Sequence, residues 1–152
     1  MKRTFLITIM LMLCTAWSHA QQSFFEKYAD MEGVSSVYIS KTMLSMMPDM
    51  QVNEANIGKV ASKLDNIQIL SCEKKEIADK LRKETAYINP RNGYEELMRI
   101  KDEGKKITIY LKKNKNEKKE FVLLCDETNE LTIILITGNL TLQEIQSIVK
   151  SD

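Results

Sequence analysis

The spacing of apolar residues along this chain changes character several times, and each change predicts an element. Behind Lys2 and Arg3, an apolar stretch from Phe5 to Leu13 leads to the small-x-small site Ser18-His19-Ala20. That pattern is a secretory signal peptide, residues 1–20, cleaved ahead of Gln21. Ser23-Phe24-Phe25-Glu26 is a capping box that opens a short helix through Asp30, with Phe24, Phe25 and Tyr28 on its apolar side and Gly33 as its stop. Val34, Val37, Tyr38 and Ile39 form a β-branched and aromatic run that predicts a first strand. Ser40 caps a second short helix carrying Met43, Leu44, Met46 and Met47, which Pro48 ends. Asn53 then caps a longer helix in which Ile57, Val60, Ala61 and Leu64 share one face, and Ile67 to Ser71 is a second strand. From Glu73 to about Ile88, the set Ile77, Ala78, Leu81 and Ile88 marks an amphipathic helix with opposite charges four residues apart, as in Glu76/Lys80 and Asp79/Lys83.

Asn89, Pro90, Asn92 and Gly93 make a loop between this helix-rich half and a strand-rich one. Ile107, Ile109 and Leu111 alternate with Thr108 and Tyr110, while Phe121 to Cys125 and Leu131 to Thr137 are near-continuous apolar runs, as central strands are. Tyr94 to Lys101 fits a helical face as well as a strand. Strand is favoured because Asp102-Glu103-Gly104 reads as a three-residue hairpin that needs a strand on its near side. Lys113 to Lys118 and Asp126 to Glu130 are the remaining turns. A second capping box, Thr141-Leu142-Gln143-Glu144, opens a final helix with Leu140 and Ile145 at the staple positions and Leu142, Ile145, Ile148 and Val149 as the buried stripe. The predicted fold class is α+β: a largely antiparallel sheet with a C-terminal four-strand meander and helices packed on one face.

Cleavage leaves residues 21–152, a length that suits a single α+β domain. Removing Lys2 and Arg3 from the 22 basic residues leaves 20 against 21 acidic ones, a net charge of −1. No broad basic field is offered to nucleic acid, and no transmembrane segment of roughly 20 apolar residues is expected in the mature chain. Cys14 follows Leu13 rather than a small residue, which argues against lipidation there.

The candidate chemistry is sparse. The one histidine, His19, and the one tryptophan, Trp17, both lie in the leader. Without histidine a zinc site needs cysteines and carboxylates, and no Cys-x-x-Cys pair exists. Asp126-Glu127-Thr128-Asn129-Glu130 lacks the glycine and ligand spacing of an EF-hand and reads as a solvated turn. Glu95 and Glu96 are adjacent on a strand, hence on opposite faces, and make a poor glycosidase pair. The basic run from Lys112 to Lys119 has no interleaved aromatic for base stacking, and the five glycines are too scattered for a phosphate cradle. No metal, cofactor or catalytic residue is implied. Cys72 and Cys125 remain in a compartment that permits disulfides; each adjoins an apolar run, so buried free thiols are favoured over a disulfide between them. Met43, Met46, Met47 and Met50 form a cluster that either fills irregular core space or presents an adaptable apolar surface to a ligand or partner.

Three stretches carry a resemblance to a known family: Phe25 to Lys41, Leu64 to Ser71, and Gly93 through Tyr94-Glu95-Glu96-Leu97-Met98 to Thr137-Gly138-Asn139-Leu140. Together they resemble domain-of-unknown-function family 4252, small secreted proteins known mainly from Bacteroidetes. The resemblance implies an envelope or secreted location and an undetermined biochemical role, and it brings no catalytic residues to carry over.

The expected function is that of a secreted or periplasmic, non-catalytic module that binds a protein of the envelope or acts in regulation. The alternative is a carrier or sensor whose methionine-rich half encloses a small apolar ligand. An enzyme fits least, since no activated nucleophile or histidine remains. Intact-mass analysis of exported material is expected to show Gln21 as the first residue, and a diacylglyceryl mass on Cys14 would overturn the leader assignment.

Overall fold

The computed structural model describes residues 24–46, 51–52, 55–56, 58–113 and 118–149. The expected signal peptide, the caps Ser23 and Asn53, and the methionines Met47 and Met50 lie outside the described residues. Helix α1 (Phe24–Ala29), strand β1 (Ser35–Ser40), helix α2 (Lys41–Met46), strands β2 (Gln51–Val52) and β3 (Ala55–Asn56) and the single turn α3 (Gly58–Ala61) come first. Strand β4 (Leu64–Cys72), helix α4 (Lys75–Thr85), a 3-10 turn (Pro90–Asn92), strands β5 (Tyr94–Asp102), β6 (Lys105–Lys113), β7 (Lys119–Asp126) and β8 (Leu131–Gly138), and helix α5 (Leu142–Val149) follow. Six strands form one sheet in the order β1-β4-β8-β7-β6-β5, every neighbouring pair antiparallel. The fold is α+β with a largely antiparallel sheet.

Local chemistry explains the joints. The Ser40 hydroxyl accepts from the Met43 N–H at 3.3 Å and opens α2. Asn89 accepts from the N–H groups of Arg91 and Asn92 at 2.9 and 3.3 Å, and Gly93, at φ 83°, turns the chain into β5. Tyr94 to Lys101 is therefore strand. The β5–β6 hairpin closes with two residues rather than the expected three, since Asp102 pairs with Lys105; Glu103 and Gly104 both take positive φ, at 33° and 87°. Two positive φ values give the turn that matches the twist of the flanking strands.

The helix expected from Asn53 is not found. Gln51 pairs with Asn56 and Val52 with Ala55 as a small hairpin, and among the described residues of this stretch only Gly58–Ala61 is helical. Gly58 is a weak helix former, and Leu64, the last residue of the expected stripe, is instead the first of β4 and fully buried.

Helices cover both faces of the sheet, not one. Ile67 and Ile136 pack with Leu44 of α2, Val60 of α3 and Ile145 of α5 in one cluster. Leu70 and Ile133 pack with Phe25 and Tyr28 of α1 and with Ala78 and Leu81 of α4 in another. The reason is in β7 and β8, whose successive side chains point to opposite faces. Phe121 and Leu123 join the first cluster while Val122 joins the second, so neither face can be left to water.

Side-chain clamps tie the layers. Arg82 of α4 donates to the Asp126 carboxylate at 2.7 Å, to Asp79 at 2.6 Å and to the carbonyls of Glu127, Thr128 and Glu130, which makes the acidic β7–β8 turn a cradle for one guanidinium. At the other end the terminal capping box is formed: the Thr141 N–H donates to Glu144 at 2.8 Å and the Glu144 N–H to the Thr141 hydroxyl at 3.3 Å. Lys63 pairs with the same carboxylate, and together with the Thr141 N–H it holds Glu144 down to a pKa of about 2. Leu140 and Ile145 are fully buried on either side of the cap, whereas Leu142, expected in the buried stripe, is exposed. The side chains of Ile148 and Val149 lie outside the described residues.

Gly138 sits where the Lys63–Leu64 backbone crosses β8, and a Cβ there would lie 2.4 Å from the Lys63 carbonyl oxygen. Gly138→Ala is expected to cost about 1–3 kcal/mol, as forced overpacking does, and Thr141→Ala about 1 kcal/mol for the lost cap. Urea unfolding at constant m-value measures both, and wild-type stability in Gly138→Ala would refute the close approach.

Candidate functional site

Strand β1 is one edge of the sheet and β5 the other, and the two differ in kind. Strand β5 carries Glu95, Glu96, Arg99, Lys101 and Asp102 and a bulge between Glu96 and Met98. Charge and bulges of this sort stop an edge from pairing with another chain. Strand β1, Ser-Ser-Val-Tyr-Ile-Ser, pairs with β4 in unbroken register and has no charged residue, proline or glycine. Among the described residues nothing pairs with its outer backbone groups.

Each face beside this edge has its own character. On one side Ile39 joins the cluster beneath α2, and Val37, two residues earlier, shares its face and is exposed. Helix α2 buries only Leu44, at 1 % exposure, and leaves Met43 and Met46 outward at 48 % and 72 %. Met43 and Met46 are therefore surface residues on the α2 side of the edge. On the opposite face a groove of about 480 Å³ runs between α1 and the edge, lined by Phe25, Glu26, Ala29, Ser36, Val37, Tyr38, Asn66 and Gln68. The side-chain oxygen of Asn66 is buried there and has no hydrogen-bond partner among the described residues.

Further along the α1 face, a smaller cavity of about 210 Å³ opens between α1, the Tyr87–Ile88 segment and the ends of β5 and β7. Phe24, Tyr87 and Tyr94 wall it, with Phe24–Tyr87 ring centroids 6.1 Å apart and Tyr87–Tyr94 5.9 Å apart at 75°. The Tyr94 hydroxyl donates to Glu120 at 2.7 Å. Burial, and then that carboxylate, push the Tyr94 hydroxyl above the ordinary tyrosine range.

The other residues singled out by sequence separate. Cys72 and Cys125 are free thiols, and burial raises the pKa of each. Cys72 pairs across to Leu131 and Cys125 to Thr132, so strand β8 lies between them. Two strand spacings, roughly 9–10 Å, exceed the reach of a disulfide, and the pairing considered for these cysteines is not made. Glu95 and Glu96 are both exposed, with Glu96 paired to Arg99. Within the basic run, Lys118 pairs with Asp65 at 2.9 Å and Lys119 donates to the Leu140 carbonyl at 2.8 Å, while residues 114–117 lie outside the described residues. Among the described residues no group of three or more histidine, cysteine or acidic side chains is placed to hold a metal, and no helix is long and apolar enough to cross a membrane.

Sequence reasoning found the methionines but not the bare edge or the aromatic cavity. The absence of charge in residues 35–40 was legible, yet nothing local marks a strand as an edge. Tyr87, Tyr94 and Glu120 come together only through the sheet.

The family described as Domain of unknown function (DUF4252) matches over residues 28–148. The chain belongs to that family. No curated protein and no solved structure matches it. The DUF4252 span includes the bare edge, α2 and the cap of α5, and it begins at Tyr28, after Phe24 and Phe25.

Stability separates the surface role of the methionines from a core role. Met46→Ser is expected to change unfolding free energy by no more than about 0.5 kcal/mol, whereas Leu44→Ala should cost about 2–5 kcal/mol. Matched losses in thermal and urea unfolding would place Met46 in the core.

Proposed function

We propose that this DUF4252 protein is an exported envelope module that binds an extended segment of another protein along β1. The observation that carries the reading is the asymmetry of the sheet: one edge is guarded by charge and a bulge, the other is bare. An added strand satisfies the outer backbone groups of β1, and its alternate side chains fall to opposite faces. Those on the α2 side meet Val37 and the exposed Met43 and Met46; those on the other side enter the groove of Tyr38, Gln68 and Asn66. The partner segment is thus apolar at every second position. The leader pattern suits an envelope location, and Met47 and Met50 follow α2 in the sequence.

A photo-crosslinking residue tests this in intact cells. In place of Tyr38 it is expected to capture a discrete partner, and in place of Ile100 on the guarded edge it is not. Adding Met46→Ser or Val37→Lys should weaken the capture at Tyr38 while thermal melts stay at the wild-type value. Equal capture from both edges, capture only of a second copy, or capture insensitive to Val37→Lys would each overturn the reading.

A further inference from the structure

The aromatic cavity carries an inference independent of the β1 edge. Its one charged lining group is Glu120, half-buried at the end of β7. Among the described residues no lysine, arginine or histidine pairs with that carboxylate; its partner is the Tyr94 hydroxyl, which is neutral. Lys112, directly opposite Glu120 across the β6–β7 ladder, places its nitrogen over the Tyr94 ring, 4.8 Å from the centroid, and does not line the cavity. The cavity therefore combines a carboxylate that makes no ion-pair contact among the described residues with three aromatic rings, Phe24 tilted at 51° to Tyr87 and Tyr87 at 75° to Tyr94. Aromatic faces attract cations through the ring quadrupole, and partial desolvation strengthens that attraction. A neutral apolar guest would leave the carboxylate facing apolar surface, and an anion would be repelled by it.

We infer that the cavity walled by Phe24, Tyr87 and Tyr94 and closed by Glu120 is a binding site for a small organic ammonium cation. The rings accept the methyl or methylene surface around the nitrogen, and Glu120 supplies the counter-charge. At about 210 Å³ the space falls below the roughly 300 Å³ at which drug-sized pockets begin, so the guest is a head group and not a large ligand. Tyr94 is fixed by its bond to Glu120 and by burial on the sheet, whereas Tyr87 is 40 % exposed and forms the outer wall.

Choline and its neutral carbon isostere, 3,3-dimethyl-1-butanol, have the same shape and differ in charge, which makes them the probes. Calorimetric titration of the purified protein is expected to show saturable binding of choline and at least about tenfold weaker binding of the isostere, the scale of a desolvated cation–π contact. Glu120→Gln keeps an acceptor for the Tyr94 hydroxyl and is expected to abolish the preference for the charged probe. Tyr87→Ala, at a partly exposed position, is expected to weaken choline with little change in thermal midpoint; it keeps the test decisive if Glu120→Gln is unstable. Equal affinity for the two probes, no saturable binding of choline up to about 10 mM, or a preference unchanged in both variants would overturn the assignment.

Discussion

Strands β7 and β8 are apolar on both faces, and the rest of the architecture answers that constraint. Ile133 and Ile134 are neighbours in sequence yet belong to different clusters, one beneath α1 and α4, the other beneath α2, α3 and α5. Burying each such side chain is worth about 1.5–3 kcal/mol, and leaving either face open forfeits that along the length of two strands. The covering helices are short: α1 and α2 have six residues each. Helices of that length do not persist alone, so they exist because the sheet holds Phe25, Tyr28 and Leu44. The sheet organises the helices, and the order of dependence does not run the other way.

The same constraint explains why the edges matter. With β4, β8, β7 and β6 in the interior, β1 and β5 are the edges, and among the described residues one side of each backbone is unpaired. Strand β5 meets this with acidic and basic residues and an extra residue at Leu97 that bends it. Strand β1 has none of these devices; the charges near it, Lys41 paired with Asp65 and Glu26 beside the groove, belong to its neighbours. An edge without such devices, beside the exposed Met43 and Met46, is a template for another strand.

Much of the fold was legible in the sequence, and the errors have identifiable causes. Capping boxes and turn residues located α5, the β5–β6 hairpin and the Asn89–Gly93 turn, because their chemistry is satisfied within a few residues. The apolar runs of β7 and β8 mark central strands in the sequence, but which helices cover each of their two faces depends on contacts far apart along the chain. The stripe Ile57-Val60-Ala61-Leu64 misled because a periodicity of four residues cannot distinguish one helix from a helical turn followed by a strand; pairing of Leu64 with Gly138 decided it. The candidate sites were less legible still. Met43 and Met46 have ordinary helical spacing around Leu44, and only the position of the sheet says which of the three is covered.

Helix α1 joins the two proposed surfaces physically. Phe25 lines both the groove beside β1 and the aromatic cavity, while Phe24 faces only the cavity and Ala29 only the groove. The helix is anchored by Tyr28, fully buried among Leu70 and Leu81, and by the Lys27–Glu84 ion pair at 3.2 Å. That ion pair is exposed and contributes little, so packing of Phe25 and Tyr28 sets where the helix lies. Any displacement of α1 along the sheet would widen one opening as it narrows the other. The geometry of both surfaces consequently rests on two aromatic side chains.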